Sequence, residues 1–268
     1  IWSDQIQNPR FVRYGWQPFT RANLVNEAGL PASTFRSEAS PVSWFRLPDL
    51  PGTEKSPSSG VSAPFTGISG GQLLVAGGCN FPDKPAAEGG TKEYYSDIYA
   101  LDITTRSPAG WRRIGKLPLP LAYGASVTTP EGLVWIGGNN NEEVSGQVFF
   151  VNWDGEKQQL HISELPSLPT PLDNLSATYA DGHLYVAGGK GKSQTAPIGK
   201  DGSQTAPTNP LFSLQLTPSL QKEWVRLPDF PGPVRVQPVL TAQQSGDGIR
   251  LYLAGGFQPV SPHQEAIV

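Results

Sequence analysis

The feature that most limits what this chain can fold into is a short apolar run that ends in two glycines and occurs four times. It reads LLVAGG at 73–78, LVWIGG at 133–138, LYVAGG at 184–189 and LYLAGG at 251–256, with the second glycines 60, 51 and 67 residues apart. A second motif interleaves with it: WFRLP at 44–48, WRRIGKLP at 111–118, LHISELP at 160–166 and WVRLP at 224–228. Self-similarity at such a period marks a repeat architecture, in which each unit buries its apolar faces only against its neighbours. An apolar run rich in Val, Leu and Tyr, without polar alternation, predicts a strand covered on both faces. The glycine pair lets the backbone turn sharply and pack closely. The proline after each Trp-type strand ends the ladder, because it has no N–H to donate.

The order is always strand, Gly-Gly, long connection, strand, then the strand ending in Leu-Pro. This pattern resembles kelch repeats, and it predicts an all-β, kelch-type β-propeller. Blade one is expected at 61–68, 72–78, 96–103 and 111–118, and blade two at 123–129, 133–138, 146–152 and 159–165. Blade three is expected at 175–180, 183–189, 210–216 and 223–228, and a fourth at 234–242 and 249–256. Residues 44–48 read as an outer strand with no blade of its own. About four blades over 42–268 leave sheet edges unpaired, so the propeller is expected to be incomplete in this chain, with residues 1–41 as a separate tail and linker.

Composition narrows the classes of function. With 30 Gly, 27 Pro and 16% charged residues, the chain is punctuated by turns throughout. A net charge of −3 with scattered Lys and Arg offers no groove for nucleic acid. No apolar run approaches the ~20 residues that span a bilayer. Cys79 is the single cysteine, so no internal disulfide can form. No His/Cys cluster has metal-ligand spacing, and neither a metal nor a cofactor is expected.

In an antiparallel meander the loops alternate between the two ends of the sheet. Connections from first to second strand are short (69–71, 130–132, 181–182), whereas those from second to third are long (79–95, 190–209). Long connections gathered at one end predict a functional face. That face collects Asn80, Phe81, Glu88, Lys92, Asn139, Asn140, Asn141 and Lys190, and the blade junctions add Tyr123, Asp173, Asn174 and Arg235. Amides, a tyrosine and an arginine with few carboxylates suit a polar, anionic, hydroxyl-rich small molecule. The repeated Ser-Gln-Thr-Ala-Pro at 193–197 and 203–207 reads as an insertion.

Two stretches carry a family resemblance. AGGCNFPDKPAAEGGTKEYYSDIYALD (76–102) and LPLPLAYGASVTTPEGLVWIGG (117–138) resemble consecutive blades of the bacterial N-acetylneuraminate epimerases, the kelch-repeat sialic acid mutarotases. The landmarks are Asn80-Phe81 after Gly-Gly, Glu88-Gly89, Tyr95-Ser96-Asp97-Ile98 and Ala122-Tyr123-Gly124. WVRLPDFPGPVRVQPVL (224–240) is similar to another junction of that family, and the blade order resembles its cyclically permuted subgroup. Residues 10–36 resemble the C-terminal end of a sialate O-acetylesterase instead.

The resemblance implies a six-bladed ring, a periplasmic or secreted location and interconversion of the anomers of N-acetylneuraminic acid, with an esterase fused upstream. It implies a base at the anomeric hydroxyl and an acid at the ring oxygen. Glu88 is the candidate for catalysis. Arg235 is the expected anchor for the sugar carboxylate, since guanidinium binds carboxylate in a bidentate fork. Asn80, Asn139, Tyr123, Asn174 and Phe81 are the other expected substrate-binding residues. Two alternatives stand beside this reading: a non-catalytic kelch module binding protein or glycan, and a parent whose principal activity is the esterase hydrolysis.

Overall fold

The computed structural model describes residues 11–15, 23–27, 29–30, 32–33, 35–36, 46–52, 60–105, 108–191, 209–216, 223–261 and 264–267. The chain divides into two compact units, Ile1–Leu47 and Pro48–Val268. In the first, β1 (Arg13–Tyr14) pairs antiparallel with β2 (Phe35–Arg36).

The second unit is built from successive antiparallel meanders. Blade one comprises β3 (Phe65–Ser69), β4 (Gln72–Ala76), β7 (Asp97–Asp102) and β8 (Arg112–Lys116), hydrogen-bonded in that order. A small hairpin, β5 (Cys79–Asn80) with β6 (Glu93–Tyr94), interrupts the connection between its second and third strands. Blade two is β9 (Ala125–Thr128), β10 (Leu133–Ile136), β11 (Val148–Asp154) and β12 (Gln159–Leu165). Blade three is β13 (Asp173–Ala180), β14 (His183–Lys190), β15 (Leu211–Gln215) and β16 (Val225–Leu227). The two-stranded sheet of β17 (Val239–Ser245) and β18 (Gly248–Ala254) follows, and then the hairpin of β19 (Phe257–Ser261) and β20 (Gln264–Ile267). The first strands of successive sheets touch one another, β3 with β9, β9 with β13 and β13 with β17. This is the kelch-type propeller plan, and its ring is not closed among the described residues.

The core lies between blades. Leu133 and Trp135 of β10 join Phe65, Leu74, Ala76 and Ile98 of blade one, with the Phe65 and Trp135 rings stacked at 5.8 Å. The alternate residues Val134 and Ile136 join Leu184, Val186 and Phe212 of blade three. All four residues of β10 are fully buried, because consecutive side chains of a strand point to opposite faces and both faces are covered. Burying each such side chain contributes about 1.5–3 kcal/mol.

Each glycine pair has positive φ at both residues: 65° and 92° at Gly77-Gly78, 64° and 100° at Gly137-Gly138, 68° and 86° at Gly188-Gly189, 63° and 87° at Gly255-Gly256. The second glycine lies against a junction carbonyl in every blade. A Cβ there would stand 3.1 Å from the Ser62 oxygen, 2.7 Å from that of Ala122, 2.7 Å from that of Asp173 and 2.8 Å from that of Val236. Both the backbone conformation and the space therefore demand glycine. The recurring tryptophan ties its blade to the preceding Leu-Pro segment through its ring nitrogen. Trp224 Nε1 donates to the Pro166 carbonyl at 2.7 Å, and Trp111 Nε1 donates to that of Pro48 at 2.8 Å.

The structure corrects three expectations of detail. Residues 46–48 are not in a strand, although Pro48 holds Trp111 as the end of a preceding blade would; Trp44 and Phe45 lie outside the described residues. The connection 79–95 is not plain loop, since it holds the β5–β6 hairpin and a 3-10 turn at Ala86–Glu88. The Gly-Gly strand β18 is not covered on both faces, because Tyr252 is 47% exposed. Most of the insertion at 190–209 lies outside the described residues.

Candidate functional site at the mouth of the sheets

Each junction between blades contributes one residue with positive φ that is not glycine: Ala63 at 51°, Tyr123 at 62°, Asn174 at 52° and Gln237 at 54°. These four are joined through the backbone. The Tyr123 N–H donates to the Ala63 carbonyl at 3.0 Å, the Asn174 N–H to that of Tyr123 at 2.7 Å, and the Gln237 N–H to that of Asn174 at 2.8 Å. A left-handed backbone at a residue with a side chain is strained and needs surrounding structure to hold it; here the ladder supplies that hold. The residues that follow each glycine pair lie at the same end. Cys79 bridges to Ser62, Asn139 to Ala122, Lys190 pairs with Asp173, and Phe257 bridges to Val236. The junctions and the long connections thus share one mouth.

A cation occupies part of it. Lys92 Nζ donates to Tyr123 Oη at 2.9 Å and lies 4.8 Å from the Tyr123 ring centroid and 5.7 Å from those of Phe81 and Tyr94. The β5–β6 register of Cys79 with Tyr94 and Asn80 with Glu93 brings Phe81, Lys92 and Tyr94 together, and Tyr123 comes from the next junction. The hydrogen bond to Tyr123 is the main cause that raises the Lys92 pKa above its ordinary value, so the side chain is an ammonium at neutral pH. Tyr94 is raised chiefly by burial, so it remains a neutral phenol. The Cys79 thiol also donates to Tyr123 Oη, at 3.5 Å. Lys92 takes one lone pair of that oxygen, the single Cys79 S–H is shared with the Ser62 carbonyl at 3.8 Å, and the phenol keeps its own O–H to donate.

A carboxylate lies deeper. Asp173 is 2% exposed, and its two oxygens accept from Asn139 Nδ2 at 2.7 Å and Asn174 Nδ2 at 2.6 Å. Amide donors compensate the cost of burying its charge. Gln237 Nε2 in turn donates to Asn174 Oδ1 at 2.7 Å. Beside the hairpin, a cleft of about 380 Å³ is lined by Lys92, Tyr94, Asn140, Asn141, Asp83 and Glu142, among others.

The residues expected from sequence divide into groups. Tyr123, Phe81, Asn139 and Asn174 meet in this network. Asn80 is at the same end, but its amide is engaged locally, with Nδ2 donating to the Gly60 carbonyl at 2.7 Å and Oδ1 accepting from Tyr95 Oη at 2.7 Å. Arg235 precedes the fourth ladder residue, and its Nη1 donates to the Gly255 carbonyl at 3.1 Å. Glu88 is exposed on the 3-10 turn. Sequence reasoning placed Lys92 and Asp173 on this face without giving them a role, and it did not single out Gln237. Aligning the junctions on their glycine partners finds all of the ladder: Ser62-Ala63, Ala122-Tyr123, Asp173-Asn174, Val236-Gln237. In that register Asp173 is the one charge. Among the described residues no cluster of three or more metal-binding side chains occurs, and no helix is long and apolar enough to cross a membrane.

The model of a family described as N-acetylneuraminate epimerase matches residues 27–162 of the 268. The match begins at residue 27, upstream of blade one. The N-acetylneuraminate epimerase of Brucella suis (strain ATCC 23445 / NCTC 10510) is 36% identical over 124 residues, covering 42% of this chain and 31% of that protein. That of Yersinia pestis (strain Pestoides F) is 36% identical over 132 residues, covering 45% of this chain and 32% of its own. The shared stretch is therefore the smaller part of each relative. A solved structure described as "Structure of YjhT" aligns with a TM-score of 0.48 and 16% identity, over 76% of this chain and 67% of that one. With half of its length matched to the family model and the repeat landmarks in place, the chain belongs to the N-acetylneuraminate epimerase family.

Proposed function

We propose that the protein interconverts the α and β anomers of N-acetylneuraminic acid. The observation that carries this reading is the family match across blade one and blade two, the two sheets that form the Lys92–Tyr123 cluster. Mutarotation opens the sugar ring at C2. A base accepts the proton of the anomeric hydroxyl, the ring oxygen takes a proton, and reclosure on the other face gives the second anomer. The proton count is unchanged, so neither a redox partner nor an activated co-substrate is needed.

Within this reading the mouth supplies three things. Tyr123 carries a phenol O–H whose oxygen already accepts from Lys92, which fits donation to a sugar oxygen. Asn139 and Asn174 are fixed by Asp173, and the second Nδ2 hydrogen of each is what they can offer to hydroxyl and acetamido oxygens. Phe81 covers the cation on one side. Glu88 is the candidate proton acceptor because it is an exposed carboxylate, whereas both oxygens of Asp173 are occupied. The sugar carboxylate requires a cation, and the cations at this end include Lys92, Lys190 and Arg235. A periplasmic or secreted location, and an O-acetylesterase upstream acting on the same sugar, complete the proposal.

The test is NMR exchange between the two anomers in the presence of the protein. Faster exchange than in buffer at neutral pH supports the reading; a rate equal to buffer removes it and favours a non-catalytic sugar-binding module. Glu88→Gln should slow exchange about 100-fold if Glu88 is the base, and an unchanged rate would move that role to another group.

A further inference from the structure

Resting on the epimerase reading, we propose that Lys92, and not Arg235, is the anchor for the substrate carboxylate. An ammonium has three N–H donors, and only one of them is used, toward Tyr123 Oη. The other contacts are the faces of Phe81, Tyr94 and Tyr123 at 4.8–5.7 Å from their centroids. Ring faces attract the cation without consuming its donors. Among the described residues the ion pairs involve other cations, such as Arg113 with Asp97 and Arg250 with Asp247, and no carboxylate pairs with Lys92. A charge that is fixed in place, held protonated and lacking a counter-ion is prepared to receive an anion.

Arg235 differs on each count. Its Nη1 is bonded to the Gly255 carbonyl of its own sheet, and its Nε is buried without a partner. That arrangement braces the last glycine pair rather than presenting the open fork needed for bidentate binding.

The surroundings of Lys92 also narrow the ligand. Asp83, Glu93 and Glu142 line the same cleft and are exposed. Their field opposes a doubly charged anion such as phosphate more than a single carboxylate, and they accept hydrogen bonds from hydroxyl groups. A ligand with one carboxylate and several hydroxyls satisfies both the single cation and the acidic rim.

The experiment measures affinity for N-acetylneuraminic acid and for its methyl ester in the wild type, Lys92→Met, Lys92→Gln and Lys92→Arg, with anomer exchange followed in the same samples. Lys92→Met and Lys92→Gln should lose on the order of 10- to 100-fold in affinity for the acid, with little change for the ester. Lys92→Arg should restore most of the preference for the acid. Retained ester binding shows that the variants are folded. An acid-to-ester ratio unchanged from wild type would overturn the assignment, whether both affinities fall together (a purely structural cage) or neither falls. Wild-type exchange that persists alongside an unchanged ratio would sink the Lys92 assignment alone. A wild type that neither binds the acid nor speeds exchange would sink the epimerase reading and the assignment with it.

Discussion

The Gly-Gly strand of blade two and that of the fourth sheet share one pattern, an apolar run ending in Gly-Gly (LVWIGG against LYLAGG), yet they live in different environments. In β10 every side chain is buried, and Trp135 is 0% exposed. In β18 Tyr252 is 47% exposed, and the neighbouring Val239 of β17 is 64% exposed. Both segments form strands that end in a left-handed glycine pair. Strand and turn are therefore written locally, whereas burial is conferred by the next sheet. The glycines show the same division. A Cβ on Gly137 would strike the Leu172 carbonyl, while one on the equivalent Gly255 would meet nothing within 4 Å.

This contrast can be broken in order of expected effect. Trp135→Ala should cost about 3–5 kcal/mol, the range for deleting a buried aromatic. Tyr252→Ala should cost under ~1 kcal/mol, since surface changes are small. Urea unfolding checks both, and similar losses at the two sites would erase the distinction. Gly137→Ala should be the more damaging of the next pair, adding a collision to the ~1–2 kcal/mol that a left-handed backbone costs a residue with a side chain. Gly255→Ala should show that conformational cost alone, in the same assay. Third, Trp224→Phe removes the donor to the Pro166 carbonyl while keeping most of the apolar surface, and should cost roughly 1 kcal/mol in unfolding.

The smallest effect concerns the mouth. Lys92 has a folded pKa above the ordinary 10.5. Because protonation is favoured by folding, its contribution is fully present below the unfolded value and is lost as pH rises through the folded one. Stability of the wild type relative to Lys92→Met should therefore be flat at neutral pH and decline only at pH values above about 10.5. A difference that decays between pH 6 and 9 would contradict the assigned cause.

Much of the fold was legible in the sequence because its signals are local. Glycine pairs, Leu-Pro ends and a repeating order place the twelve strands of blades one to three within a few residues of their observed bounds. The site was less legible because it is assembled from a distance. Nothing near Lys92 in the chain says that Tyr123, from the following junction, will lie under its ammonium. The partners of Asn80 were hidden for the same reason: its amide bonds to Gly60 and Tyr95, which the sequence after Gly-Gly does not reveal. Asp173 could have been weighted more heavily, since a register position that holds Ser, Ala and Val in the other sheets holds an acidic residue there.

The ladder through Ala63, Tyr123, Asn174 and Gln237 has a consequence for how such a mouth diversifies. Its bonds run from main chain to main chain, so the angular pitch from one sheet to the next is set without reference to what those residues carry. Alanine, a phenol and two carboxamides already occupy equivalent stations. Chemistry at the rim can be rewritten one station at a time while the scaffold that spaces the stations stays the same.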